Sequence, residues 1–142
     1  MSDDDLQASD YPIAEKRPER VAGARGKRLE DITVDTVVSG NVTMDDLRIT
    51  PAALLDQARI ARSVGRAALA ANFERAAEMT RIPQEDVMRV YELLRPGRAG
   101  SKQVLLDAAT DLRARFDADQ LARFVEEAAA VYEKRGLYRN RF

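Results

Sequence analysis

The stretch TPAALLDQARIARSVGRAALAANFERAAEMT, from Thr50 to Thr80, restricts this chain more than any other. Leu54, Ala58, Ala61, Gly65, Ala68, Asn72, Ala76 and Met79 recur at spacings of three and four, which puts them on one helix face. Arg59, Arg62, Ser63 and Arg66 fall together on another side. Thr50 is a good N-cap, and Pro51 suits the first helical position because its missing N–H would have no partner there. Pro83 stops the pattern. The spacing predicts one helix from Thr50 to Thr80, about 45 Å long at 1.5 Å per residue.

Shorter helical patterns surround it. Thr33 can cap a piece carrying Val34, Val37 and Val38, and the Ser-Gly-Asn run from Ser39 breaks it. Thr43 and Asp46 stand at capping-box spacing. Residues 84–94 align Val87, Tyr91 and Leu94. After a break at Arg95–Ser101, with Ser101 as cap, residues 102–116 align Leu105, Ala108, Leu112 and Phe116. Residues 119–135 align Leu121, Phe124, Val125, Ala128, Val131 and Tyr132, and Gly136 is a natural stop. No strand pattern follows residue 50. The reading is all-α: an irregular helical domain with one long central helix and an extended N-terminal arm.

Composition narrows the function. Aromatics make up only 6% and Trp is absent, so Ala, Leu and Val must build the core. The chain has neither Cys nor His. Thiolate nucleophiles, disulfides and the commonest metal ligands and general bases are thereby excluded. Lys and Arg (23) nearly balance Asp and Glu (24), whereas a dedicated nucleic-acid binder carries a basic excess. No apolar run is long enough for a membrane span, and MSDDDLQ lacks the charge pattern of a secretory signal.

The segment DYPIAEKRPERVAGARGKRLED, from Asp10 to Asp31, is basic, carries Pro12 and Pro18, and has no apolar period. It is expected to be unable to bury itself on its own core, and to dock on a partner through its main chain and guanidinium groups. The expected organisation is a disordered acidic tail over residues 1–10, an extended docking arm over 11–28 and a single helical domain over 29–142. Deleting residues 1–20 should then leave the domain folded. GARGKR, from Gly23, lacks phosphate-loop spacing. Asp45 and Asp46 suit the first turn of a helix, where acids favour the dipole. Gly65 is expected to admit close helix packing, and Asn72 to be a buried hydrogen-bonding residue.

The residues resemble a known family. YPIAEKRPE from Tyr11, LEDITVDTVVSGNVTMDDLRITPAALLDQARIA from Leu29, NFERAAEMT from Asn72, IPQEDVMRVYELLRP from Ile82 and FVEEAAAVYEKR from Phe124 follow one another as in the small (gamma) subunit of adenosylcobalamin-dependent diol and glycerol dehydratases. The resemblance runs from Tyr11 to Arg135. It implies a doubled heterotrimer in which the small subunit packs mainly on the large (alpha) subunit, beside a medium (beta) subunit. The large subunit is a (β/α)8 barrel holding the substrate, and adenosylcobalamin sits between the large and medium subunits. The complex would dehydrate a vicinal diol or glycerol to an aldehyde by a radical route, in the cytoplasm or inside a bacterial microcompartment. No catalytic, cofactor-binding or metal-ligating residue is then expected on this chain. The candidate partner contacts are Tyr11, Pro12, Lys16, Arg17, Pro18, Arg48, Asn72 and Arg75. Two other readings stay open from the residues: a stand-alone helical adaptor or regulator using the basic arm on a protein or nucleic acid, and a small enzyme using carboxylates.

Overall fold

Side-chain oxygens start the helices where the sequence places them. The computed structural model describes residues 5–138. Its helices are α1 (Ile13–Lys16), α2 (Val34–Val38), α3 (Met44–Leu47), α4 (Pro51–Ser63), α5 (Ala67–Met79), α6 (Gln84–Leu94), α7 (Lys102–Phe116) and α8 (Asp119–Lys134). Thr33 Oγ1 accepts the Thr36 N–H at 3.2 Å, Thr50 Oγ1 accepts the Ala53 N–H at 3.2 Å, and Ser101 Oγ accepts the Val104 N–H at 3.4 Å. These bonds satisfy amides that a helix leaves orphaned. Among the described residues no strand forms, and Ala22 and Arg28 make an isolated antiparallel bridge. The all-α reading holds.

The helix expected over Thr50–Thr80 is two helices. Gly65 adopts φ +75°, in the left-handed region that side chains resist. Its N–H donates to the Arg62 carbonyl, and the Arg66 N–H donates to the Ala61 carbonyl, both at 2.9 Å. This pair of bonds is the Schellman closure of a helix end. A Cβ placed on Gly65 would meet nothing within 4 Å. The glycine therefore serves a backbone turn, not the close helix packing expected of it. The inward face changes across the break. Leu54, Ala58 and Ala61 are buried in α4, whereas α5 buries Ala70 and Ala77 and half-buries Leu69 and Phe73. Ala68, Asn72 and Met79, which an unbroken helix would align with them, are exposed.

The N-terminal segment is also folded, against expectation. Residues 1–4 of the expected tail lie outside the described residues. From there, a 3-10 turn at Ala8–Asp10, α1, and a second turn at Pro18–Arg20 replace both tail and extended arm. Leu6 is 2% exposed, and it packs with Ile13 and with Ile60 of α4, beside Val21. These apolar residues are too widely spaced for one helix or strand, so no period betrays them. Successive short turns bring them together instead.

The described chain divides into two compact units between Ala77 and Glu78, inside α5, and is not one domain from residue 29. The first unit holds the N-terminal segment and has small cores, one of them Ala58, Ala61 and Ala70 with Leu69 and Phe73. In the second, α7 lies against α8 around Leu105, Ala109, Leu112, Ala122, Val125 and Ala129, all buried. Close helix packing selects the alanines for this seam. Phe124 and Val131, expected inward, are exposed, as is Tyr91 of α6. The start of α8 lacks a side-chain cap of its own, since Ala118 precedes it. The Glu78 carboxylate substitutes, accepting the Gln120 N–H at 3.0 Å and the Leu121 N–H at 2.8 Å. A carboxylate there also meets the positive end of the helix dipole.

Ile13 distinguishes a packed segment from a solvated arm. Ile13→Ala should lower the unfolding free energy of the isolated chain by about 2–5 kcal/mol, the usual cost of such a cavity. An unchanged urea midpoint would return the segment to solvent.

Candidate functional site

Buried charge is the first place to look for chemistry, because desolvation changes what a carboxyl can do. Asp46, Asp56 and Asp86 are the buried charged residues among those described. Each is surrounded by donors. Arg25 grips Asp46 as a fork, Nε to Oδ1 at 2.8 Å and Nη2 to Oδ2 at 2.5 Å. The same Nη2 donates to the Asn41 carbonyl at 2.9 Å, and the Thr43 N–H donates to Asp46 Oδ2 at 2.8 Å. Arg20 grips Asp56 likewise, Nε to Oδ2 at 3.0 Å and Nη2 to Oδ1 at 2.8 Å, and Arg59 adds a bond to Oδ1 at 2.6 Å. Asp86 accepts from Arg89 at 2.7 Å and from Arg115 at 3.1 Å.

Backbone fit reinforces the first of these clamps. The Gly23–Arg28 loop closes on itself through the Gly23 N–H to the Lys27 carbonyl at 2.8 Å. A Cβ on Gly23 would stand 2.6 Å from the Asp46 carbonyl oxygen, so only glycine lets the loop lie on α3. The Arg25 guanidinium, and then the Thr43 amide, hold the Asp46 carboxyl down at about 2 against the opposing effect of burial. Such a group stays ionised and bonded. It is suited to holding a loop in place and has no proton to give or take near neutrality.

The sequence-derived contact residues fall in separate places. Tyr11, Pro12, Lys16 and Pro18 are exposed. Arg17 is half-buried and bonds within its own segment, to Glu19 at 2.6 Å and Asp10 at 3.4 Å. Arg48 is exposed beside Asp45, at 3.7 Å. Asn72 and Arg75 come together, the guanidinium donating to Asn72 Oδ1, and Asn72 is exposed where a buried residue was expected. The basic arm is not a free set of cations: Arg17, Arg20, Arg25 and Arg28 all pair with acids of this chain.

Sequence reasoning missed Arg20, Arg25, Asp56, Glu78 and Asp86. Arg25 and Asp46 stand 21 residues apart and Arg20 and Asp56 stand 36 apart, so no local spacing marks them. Val34, Val37 and Val38, which the sequence places on one short helix, all face solvent. Grooves are open and small. One of about 350 Å³ is lined by Arg89, Asp111 and Arg115, already joined to one another; one of about 330 Å³ is lined by Arg20, Asp56 and Arg59. A third of about 460 Å³ lies along Pro83–Met88.

The family model for the dehydratase small subunit matches residues 6–139. The chain belongs to the dehydratase small-subunit family. It is 48% identical over 129 residues to the propanediol dehydratase small subunit of Salmonella typhimurium, covering 91% of this chain and 74% of that protein. Identity to the propanediol dehydratase small subunit of Citrobacter freundii is 47% over 129 residues, with the same coverage. This dehydratase small subunit thus bears out the resemblance read from Tyr11 to Arg135.

The clamp of this small subunit has a pH signature. The folded Asp46 carboxyl lies at about 2, below its ordinary 3.8. Its contribution to stability is therefore fully present above the ordinary value and is lost as pH falls through the folded one. The urea midpoints of wild type and Asp46→Asn should differ at about pH 6 and converge towards about pH 2. A gap that stays constant over that range would contradict the clamp.

Proposed function

We propose that the chain is the non-catalytic small subunit of an adenosylcobalamin-dependent diol dehydratase, stabilising its large subunit. The observation that carries this reading is the identity, over nine-tenths of the chain, to propanediol dehydratase small subunits. The chemistry of the described residues supports it. Buried carboxylates are occupied by arginines or backbone amides, and among the described residues no group of His, Cys, Asp or Glu could hold a metal. What the chain offers is surface. The partners are a large and a medium subunit in a doubled heterotrimer that converts a vicinal diol or glycerol to an aldehyde and water. The cofactor supplies the radical chemistry on those other subunits. Tyr11, Pro12, Lys16, Pro18 and Arg48 stay accessible for contact, and the exposed Asn72 is bonded by the half-buried Arg75. The proposed location is the cytoplasm, free or within a microcompartment. No helix among the described residues is long and apolar enough to cross a membrane. An adaptor that reads nucleic acid through its arm is disfavoured, because the arm's arginines are already bonded within the chain.

Co-expression tests the reading. The chain should co-purify with the two larger subunits in fixed ratio, and dehydratase activity should fall when it is left out. Equilibrium dialysis should show no adenosylcobalamin on the isolated chain. Tight binding by that chain, or full activity from larger subunits assembled without it, would overturn the proposal.

A further inference from the structure

The two units bury their apolar residues in different ways. In the second, eleven buried residues from Ile82 to Ala129 form one continuous cluster, with large side chains such as Phe116 and Tyr132 packed against it. The polar fastenings of this unit close on the same core. Tyr132 Oη donates to the Leu94 carbonyl, and Tyr138 Oη donates to the Ala129 carbonyl at 2.8 Å. Buried Asp86 joins α6 to α7 through Arg115 at 3.1 Å. In the first unit the buried apolar residues are divided. Leu6, Ile13 and Ile60 form one cluster, Ala58, Ala61 and Ala70 form another, and Val42 and Leu54 belong to neither. Large apolar side chains remain exposed along it from Tyr11 to Val64, Val34 at 78% and Val38 at 82% among them.

Charge pairs join what these small clusters leave apart. Arg20 ties the N-terminal segment to Asp56 of α4, Arg25 ties the glycine loop to Asp46 of α3, and Arg62 joins α4 to Glu74 of α5 at 3.1 Å. A buried ion pair gains little net stability, because desolvation offsets much of its attraction. Breaking one is costly, however, since the surviving charge is left without a mate. The first unit is therefore weakly held overall, yet its parts depend on one another. We infer that the chain opens in two steps: the first unit opens and recloses as one cooperative piece while the second stays folded. Sub-global opening follows contiguous regions with few buried apolar contacts, and the first unit is such a region. The inference does not depend on what the chain assembles with. The urea midpoints of Ile13→Ala and Asp46→Asn accordingly belong to the first of the two transitions.

Hydrogen exchange of the full chain along a urea series, read by mass spectrometry, tests this. Peptides between Ile13 and Ser63 should lose protection together, at a lower urea concentration than peptides of α7 and α8. Asp56→Asn should speed exchange of that first group at least about tenfold and leave α7 and α8 unchanged. Leu112→Ala, which opens a cavity in the second core, should speed α7 and α8 by a similar factor and leave Ile13–Ser63 unchanged. A single urea concentration at which both groups open overturns the inference, and so does an equal response of both groups to either variant. Opening of α7 and α8 before the first group overturns it as well. Should Leu112→Ala fail to fold, the wild-type series still reads the order of opening and decides the matter.

Discussion

Asp46 can keep its charge inside the fold because Arg25 and the Thr43 amide surround it. Much of the first unit depends on that contact and on its counterpart between Arg20 and Asp56. The helices before α4 are a turn or so long, and the apolar clusters around them hold few buried residues. Helices of that length gain little from propensity, so tertiary contacts must hold them. A planar guanidinium bonded at both oxygens of a carboxylate fixes direction as well as distance. Arg20 ties the N-terminal segment to α4, and Arg25 ties the glycine loop to α3. The second unit is built differently. There α7 and α8 pack along a seam of Leu, Val and Ala, and ion pairs such as Arg113 with Asp119 and Glu126 lie at its margin.

This division of labour bears on function. Polar clamps leave the apolar side chains of α2 and α3 free of the chain's own core. A segment held by its apolar residues would have none to show. Under the proposed assembly role such a surface, rigid before binding, would lose little ordering entropy on contact. The glycines fit the same logic at two positions. Gly23 lets a loop close on α3, and Gly65 turns the chain so that α5 can bury a different face.

Features set by near neighbours in the sequence were legible. Thr33, Thr50 and Ser101 cap as their positions indicate, Gly136 ends α8 with a positive φ, and the all-α class follows from periodicity. Family membership was legible too, from the succession of segments between Tyr11 and Arg135. Features set by distant partners were not. The Arg20–Asp56 and Arg25–Asp46 pairs leave no periodic mark, and without them a basic, proline-bearing segment reads as a free arm. Gly65 misled for a different reason: one glycine on a regular face looks like a tolerated defect, although it closes a helix. On α8 spacing aligned Phe124 and Val131 with Leu121 and Val125, but a close helix seam takes Ala122 and Ala129 and leaves Phe124 outside.

The central claim is that the segment from Leu6 to Arg20 is a folded part of the first unit before any partner binds. Hydrogen exchange on the isolated chain, followed by mass spectrometry, addresses it directly. The amides of Lys16, Arg17, Arg20 and Val21 donate to carbonyls of the segment's own turns. Peptides spanning Ile13–Val21 should therefore be protected together with those of α4, and lose protection together in Asp56→Asn. Exchange of Ile13–Val21 at the rate of an unstructured peptide, while α4 stays protected, would contradict the claim and restore the picture of a free arm.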